Sequence, residues 1–166
     1  MRKLISMLLI ISFCSWVAPL YAQDLTMGFV NLKEVLDKYK KVKDGEDQLL
    51  KEAEDKNTKR EKLVKEIKSL REKLDLLQDK QKEKKQQELD QKLKDLQDFT
   101  YETRADLRQK RDDKFREIMK EIKDVLEEYG SSHNYNIIID DTLILYKDAK
   151  MDVTEDIIKT LNKRYK

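Results

Sequence analysis
The chain has 166 residues, with 36 Lys and Arg against 34 Asp and Glu, so that 42% of it is charged and only 39% hydrophobic. Gly28, Gly45 and Gly130 stand too far apart for a phosphate loop or a dinucleotide fingerprint, and Cys14 and His133 are the sole residues of their types. These counts exclude disulfides, leave a Cys/His metal site without ligands, speak against a conventional enzyme, and call for no cofactor.

The first expected element is an export signal over residues 1–22. Arg2 and Lys3 precede an apolar run over residues 4–17, and Leu20-Tyr21-Ala22 offers a small residue at the cut. The run is short for a membrane span. The alternatives are an uncleaved anchor, or lipid attached at Cys14 despite the bulky Phe13 before it. Removing residues 1–22 leaves 144 residues, 34 basic and 34 acidic, with no Cys, Trp or Pro.

Residues 27–32, MGFVNL, form a strand candidate, and Val35, Leu36 and Tyr39 suggest a brief helix after it. Between Gly45 and Gly130 lie 84 residues without Gly or Pro, rich in Lys, Glu, Gln and Leu. Unbroken, they would make a helix of ~126 Å. The apolar pattern favours a fold-back instead. Leu63, Ile67, Leu70, Leu74 and Leu77 form a coiled-coil seam, residues 78–88 contain no apolar side chain, and the seam resumes at Leu89, Leu93, Leu96 and Phe99. The two halves mirror each other about Glu83, which predicts an antiparallel hairpin pairing Leu70 with Leu96 and Ile67 with Phe99. The alternative is a parallel, self-dimerising coiled coil. Phe115, Ile118, Met119, Ile122, Val125, Leu126 and Tyr129 widen the apolar face where the arm is rooted.

Gly130 is expected to end the second helix. Residues 135–139 read as a buried strand, 140–142 as a turn and 143–146 as a second strand, paired as a β-hairpin. Asp152, with Glu155 three residues on, is expected to cap a last helix carrying Ile157, Ile158, Leu161 and Tyr165. Ser131, His133 and Asp140 combine a nucleophile, a base and an acid, but no glycine-rich elbow surrounds them, and they read as a loop.

The expected fold class is α+β: a long antiparallel coiled-coil hairpin (46–129, tip near 78–88) projecting from a small, discontinuous β-rich head (23–45 plus 130–166). A head of roughly 60 residues is too small to be secure alone. Oligomerisation through Phe29, Val30, Ile137, Ile138, Ile139, Leu143 and Leu145 would close its sheet edges.

The stretches MGFVNLKEVL (27–36), YNIIIDDTLILY (135–146) and DVTEDIIKTLN (152–162), with a charged hairpin between, resemble the Skp/OmpH family of periplasmic chaperones. The resemblance implies a homotrimer whose strands form a small barrel, with three hairpins hanging as tentacles around a cavity. It implies an ATP-independent holdase in the periplasm, with unfolded outer-membrane proteins as partners. Val64, Leu76 and Tyr101, beside the seam, are the candidate client contacts, with the edge of the hairpin core as their alternative role. Lys80, Lys82, Lys84 and Lys85 make a basic tip suited to transient contact with a membrane surface. The neutral mature charge departs from a markedly basic family pattern, so lipopolysaccharide binding is not carried over and no nucleic-acid partner is expected. The alternative function is an envelope adaptor that docks a folded partner through its coiled coil.

Overall fold
The structure, a computed structural model, describes residues 25–165 apart from the side chains of Asp79 and Lys80; the expected signal over residues 1–22 lies outside the described residues. Strand β1 (Met27–Val30) leads into helix α1 (Leu32–Lys38), whose first turn is capped by Asn31: its side-chain oxygen accepts the Glu34 N–H at 2.8 Å. Helix α1 stops at Tyr39, where ψ is 116°, and α2 (Lys40–Leu74) begins at once. Asn162 spans this break, accepting from the Lys40 N–H at 2.9 Å and donating to the Lys38 carbonyl at 3.1 Å. Two backbone groups orphaned by the break are thereby satisfied.

Helix α2 turns back through residues 75–78 into α3 (Asp79–Ser132). At 1.5 Å per residue, the two helices are ~52 and ~81 Å long. The antiparallel hairpin is as expected, but its turn and register are not. Residues 78–88 are almost wholly the opening turns of α3, and Leu77 lies in the connection instead of the seam. Reflection about Glu83 would set Glu66 opposite Thr100, yet Lys92 meets Glu66 at 2.6 Å. Nearer the head, Glu52 pairs with Lys110 and Lys56 with Asp106 at 3.6 Å, each four residues short of the mirrored position. The slip is therefore one to two helical turns, and it brings Leu70 to the level of Leu89 instead of Leu96. A heptad seam repeats along the helix, so it fixes which residues face inward but not where the chain reverses. Lys, Gln and Glu are strong helix formers, so the polar segment stays helical and the chain turns earlier.

Gly130 is not the helix stop. The helix runs on to Ser132, and Asn134 supplies the left-handed residue (φ 58°) that lets the Tyr135 N–H donate to the Gly130 carbonyl at 2.9 Å. Strand β2 (Ile137–Asp140) then pairs in parallel with β1, Met27 opposite Ile137 and Val30 opposite Asp140. The expected β-hairpin between 135–139 and 143–146 does not form. Asp140 caps a 3-10 turn (Asp141–Leu143), accepting the Thr142 N–H at 3.2 Å, and Asp141 is held by Asn31 and Lys147. The chain is thus led away from β2. A second 3-10 turn (Ala149–Met151) precedes α4 (Thr154–Arg164). Asp152 serves this helix one place earlier than a capping box would: its carboxylate accepts the Thr154 N–H at 2.9 Å, while Glu155 pairs with Lys38 at 2.9 Å.

Two separate apolar clusters hold the molecule. In the head, Val30, Val35, Tyr39, Ile118, Ile122, Val125, Val153, Ile157, Ile158 and Leu161 are buried together. In the outer arm, Ile67, Leu70, Leu74 and Leu89 are buried, with Leu93 and Leu96 packed against them. Between the clusters, Gly45 is the last buried residue of α2 before Ile67, and α3 buries nothing from residue 90 to 117.

Candidate functional site
The segments that carry the family resemblance meet in space. The Asn31 N–H donates to Thr154 Oγ1 at 2.9 Å, and the Val153 N–H donates to the Phe29 carbonyl at 2.8 Å. Lys147 bridges Asp141 at 2.8 Å and Asp152 at 2.5 Å. The two carboxylates raise the Lys147 ammonium above its ordinary range. Burial pushes the Asp152 carboxyl up, but Lys147 and the Thr154 N–H outweigh it and hold the group below the usual carboxylate range. At the root of the arm, Lys41 reaches Glu117 at 2.6 Å and Glu121 at 2.5 Å, and the ammonium lowers the Glu117 carboxyl. This polar lattice locks the ends of the chain around the head core.

The residues expected to assemble subunits divide into two groups. Phe29 and Val30 are buried within the single chain, Val30 as part of the head core. Ile138 and Ile139 are half-buried, and Ile138 packs against that core. Ile137 is exposed, and Leu143 (80%), Leu145 (fully) and Tyr146 (88%) stand clear of the chain. These four are the exposed large apolar side chains that residues 137–146 give the head.

The expected contacts on the arm are all exposed: Val64 43%, Leu76 86% and Tyr101 76%. They do not converge. Leu76 lies in the turn, Val64 on α2 and Tyr101 on α3. At the tip, Lys82 and Lys84 are exposed, and Lys85 pairs with Glu88 at 2.5 Å, which lowers the Glu88 carboxyl. Lys80 is placed in the first turn of α3, its side chain outside the description.

A groove of about 730 Å³ that the sequence did not lead one to expect lies at mid-arm, between Glu46, Leu49, Leu50 and Ala53 of α2 and Arg104, Leu107, Arg108 and Arg111 of α3. The arginine spacing of four and three residues was the available signal, since it sets all three on one helix face. Ser131, His133 and Asp140 do not form a catalytic arrangement: His133 Nδ1 lies 2.9 Å from the Tyr129 carbonyl, and Asp140 caps the 3-10 turn. Among the described residues no group of His, Cys, Asp and Glu could hold a metal ion, and no helix is long and apolar enough to cross a membrane.

The fold has a solved counterpart. A crystal structure of a Caulobacter crescentus protein described as a putative outer membrane chaperone (OmpH-like) superposes with a TM-score of 0.77 over 84% of this chain and 85% of that one. Identity is 11%, so this likeness speaks for the fold alone. No curated protein matches the chain. The family model described as outer membrane protein (OmpH-like) matches residues 26–161, spanning β1, the whole hairpin and most of α4. With the head motifs joined as above and most of its length matched, the chain belongs to the OmpH-like outer membrane protein family.

Proposed function
We propose that this protein is an ATP-independent holdase chaperone of the periplasm. It would assemble as a homotrimer through the rim formed by Ile137, Leu143, Leu145 and Tyr146, with the arms enclosing unfolded outer-membrane proteins. The observation that carries the reading is the contrast between the rim and the arm. The head exposes four large apolar side chains within ten residues, and no described residue covers them. The arm exposes Val64, Leu76 and Tyr101 at separate places on a charged surface, besides Leu50 and Phe115 at mid-arm. A concentrated patch suits a stable contact between copies. Scattered ones suit many weak contacts to a chain with no fixed shape, where avidity replaces a tight site. Unfolded barrel strands, alternately apolar and polar, are such chains and aggregate when left free. The family membership and the name of the Caulobacter counterpart support the same reading.

The test is dilution of a urea-denatured outer-membrane barrel into buffer with and without the protein, followed by light scattering. Suppressed scattering at roughly stoichiometric trimer, without nucleotide, is the expected result. Unchanged scattering, together with selective capture of a folded envelope protein, would replace the holdase with the adaptor.

A further inference from the structure
We propose that the mid-arm groove between α2 and α3 binds an extended peptide segment in which apolar and acidic side chains alternate. This rests on the holdase reading above and names the kind of client segment that the arm grips.

The groove has two unlike walls. On α2 the wall is apolar, made by Leu49, Leu50 and Ala53, with Leu50 63% exposed. On α3 the wall is a ladder of Arg104, Arg108 and Arg111 with Leu107 beside it. An extended strand directs successive side chains to opposite sides. Laid along the groove, it turns one set of side chains to α2 and the other to α3. An apolar set fits the first wall and a carboxylate set the second.

The lengths agree. Tyr101, Arg104, Arg108, Arg111 and Phe115 recur at three, four, three and four residues, which places them in one stripe about 21 Å long at 1.5 Å per residue. An extended segment of about six residues covers the same distance and sends about three side chains to the stripe, about two of them opposite the roughly 10.5 Å that Arg104 to Arg111 span. Tyr101 and Phe115, both exposed, close the stripe at its two ends with aromatic surface.

The charge is also uncommitted. Arg104 has no ion-pair partner among the described residues, and Arg108 and Arg111 share one carboxylate, Asp112, at 4.0 and 3.5 Å. Glu46 is the single acid lining the groove. Guanidinium groups match carboxylates in a fixed, two-pronged geometry, so the ladder prefers acids to neutral polar groups. The apolar wall is also only partly used by the helix pairing. Leu49, Ala53 and Leu107 are half-buried and none is fully enclosed, so each keeps surface open to a ligand.

The test uses the full-length protein and a fluorescent peptide of about ten residues alternating Val and Glu, with binding read by anisotropy. The controls are a Val/Lys alternate and a Val/Glu peptide of equal composition in two blocks. The alternating acidic peptide should bind at least tenfold more tightly than either control. Combined Arg104→Gln, Arg108→Gln and Arg111→Gln should weaken it about tenfold, equivalent to about 1.4 kcal/mol. Leu50→Gln, a single exposed change, should weaken it severalfold with the helical signal intact. Equal affinity for acidic and basic peptides, or no effect of the arginine changes, overturns the proposal. So does a changed oligomer size in the arginine variant, since a second copy would then be the occupant. Loss of binding to anionic vesicles with peptide binding unchanged also overturns it, giving the arginines to a lipid surface. The holdase reading is separable: a protein that binds the peptide as described but leaves a denatured barrel to aggregate refutes that reading and keeps the groove. A protein that protects the barrel while ignoring the peptide does the reverse.

Discussion

The division into two apolar clusters predicts that the outer arm opens without the head. The perturbation is Leu74→Ala, which removes one of four buried side chains from the outer cluster. Each such side chain contributes about 1.5–3 kcal/mol by burial, so the four together supply about 6–12 kcal/mol before the chain entropy of ordering the hairpin. Truncation to Ala should cost about 2–3 kcal/mol, the low end for leucine because surrounding solvent can refill the site. Little holds the next stretch inward. Glu52–Lys110 and Lys56–Asp106 are solvent-screened ion pairs and add little. Hydrogen exchange should therefore quicken about 30- to 150-fold for amides at residues 63–96, the range that 2–3 kcal/mol implies, with the amides of Ile122 and Ile157 unchanged. The paired control is Ile157→Ala in the head, which should cost about 2–5 kcal/mol and quicken exchange throughout the head. Equal quickening of head and outer arm in Leu74→Ala would show one cooperative unit and refute the division.

Gly28→Ala should destabilise by about 1–3 kcal/mol, because its Cβ would stand 3.1 Å from Tyr135 Cε1; Gly45→Ala, where the nearest atom is Lys114 Cδ at 3.7 Å inside α2, should stabilise by about 0.5–1 kcal/mol in urea melts. The Asp152 carboxyl is held below its ordinary range, so its contribution is complete above the unfolded value near 3.8 and is lost as pH falls through the lower folded value. Thermal stability should accordingly be flat from about pH 8 to 5 and fall below about 4, and Asp152→Asn should blunt that fall. Leu145→Asp should dissociate the proposed trimer and leave a folded chain, since the residue is fully exposed; an unchanged sedimentation coefficient would take the rim out of the interface. Deleting residues 63–96 behind a designed turn removes the outer cluster at matched levels of both helices. It should spare assembly and abolish protection of a large barrel client, as read by light scattering.

Much of this architecture was legible in the sequence because it depends on side-chain pattern. The seam residues Ile67, Leu70, Leu74 and Leu89 are buried as their spacing demands, and Ile157, Ile158 and Leu161 line the inner face of α4. The features that depend on chain path were not legible. The reversal falls at residues 75–78 without a glycine to mark it, so symmetry of the leucines placed it too late. Gly130 offered itself as a stop, but Asn134 can also adopt the left-handed conformation, and it does. Residues 143–146 have the composition of a strand and lack only a partner: β1 lies between β2 on one side and the Asp152 bridge on the other. Tertiary pairing decided that segment, and no local pattern encodes it.

That missing partner also bears on how a compliant arm can be held. A two-stranded parallel sheet is marginal, and β2 has no strand on its far side among the described residues. Covering Leu143, Leu145 and Tyr146 by neighbouring copies would contribute roughly 5–9 kcal/mol per chain at about 1.5–3 kcal/mol per side chain. Part of this offsets the cost of association. The gain falls entirely at the head, far from the turn at residues 75–78. The arms of the proposed trimer are thus fixed at one end, through the Lys41–Glu117 and Lys41–Glu121 pairs and the core around Ile122. Beyond that root no side chain is buried until the outer cluster, which ties α2 to α3 and not one arm to another. Each hairpin of the proposed trimer would therefore stay paired while bending about its loosely packed middle. In the proposed trimer, clients of different size would then be enclosed at little elastic cost, and the stability of the assembly would not depend on what the arms hold.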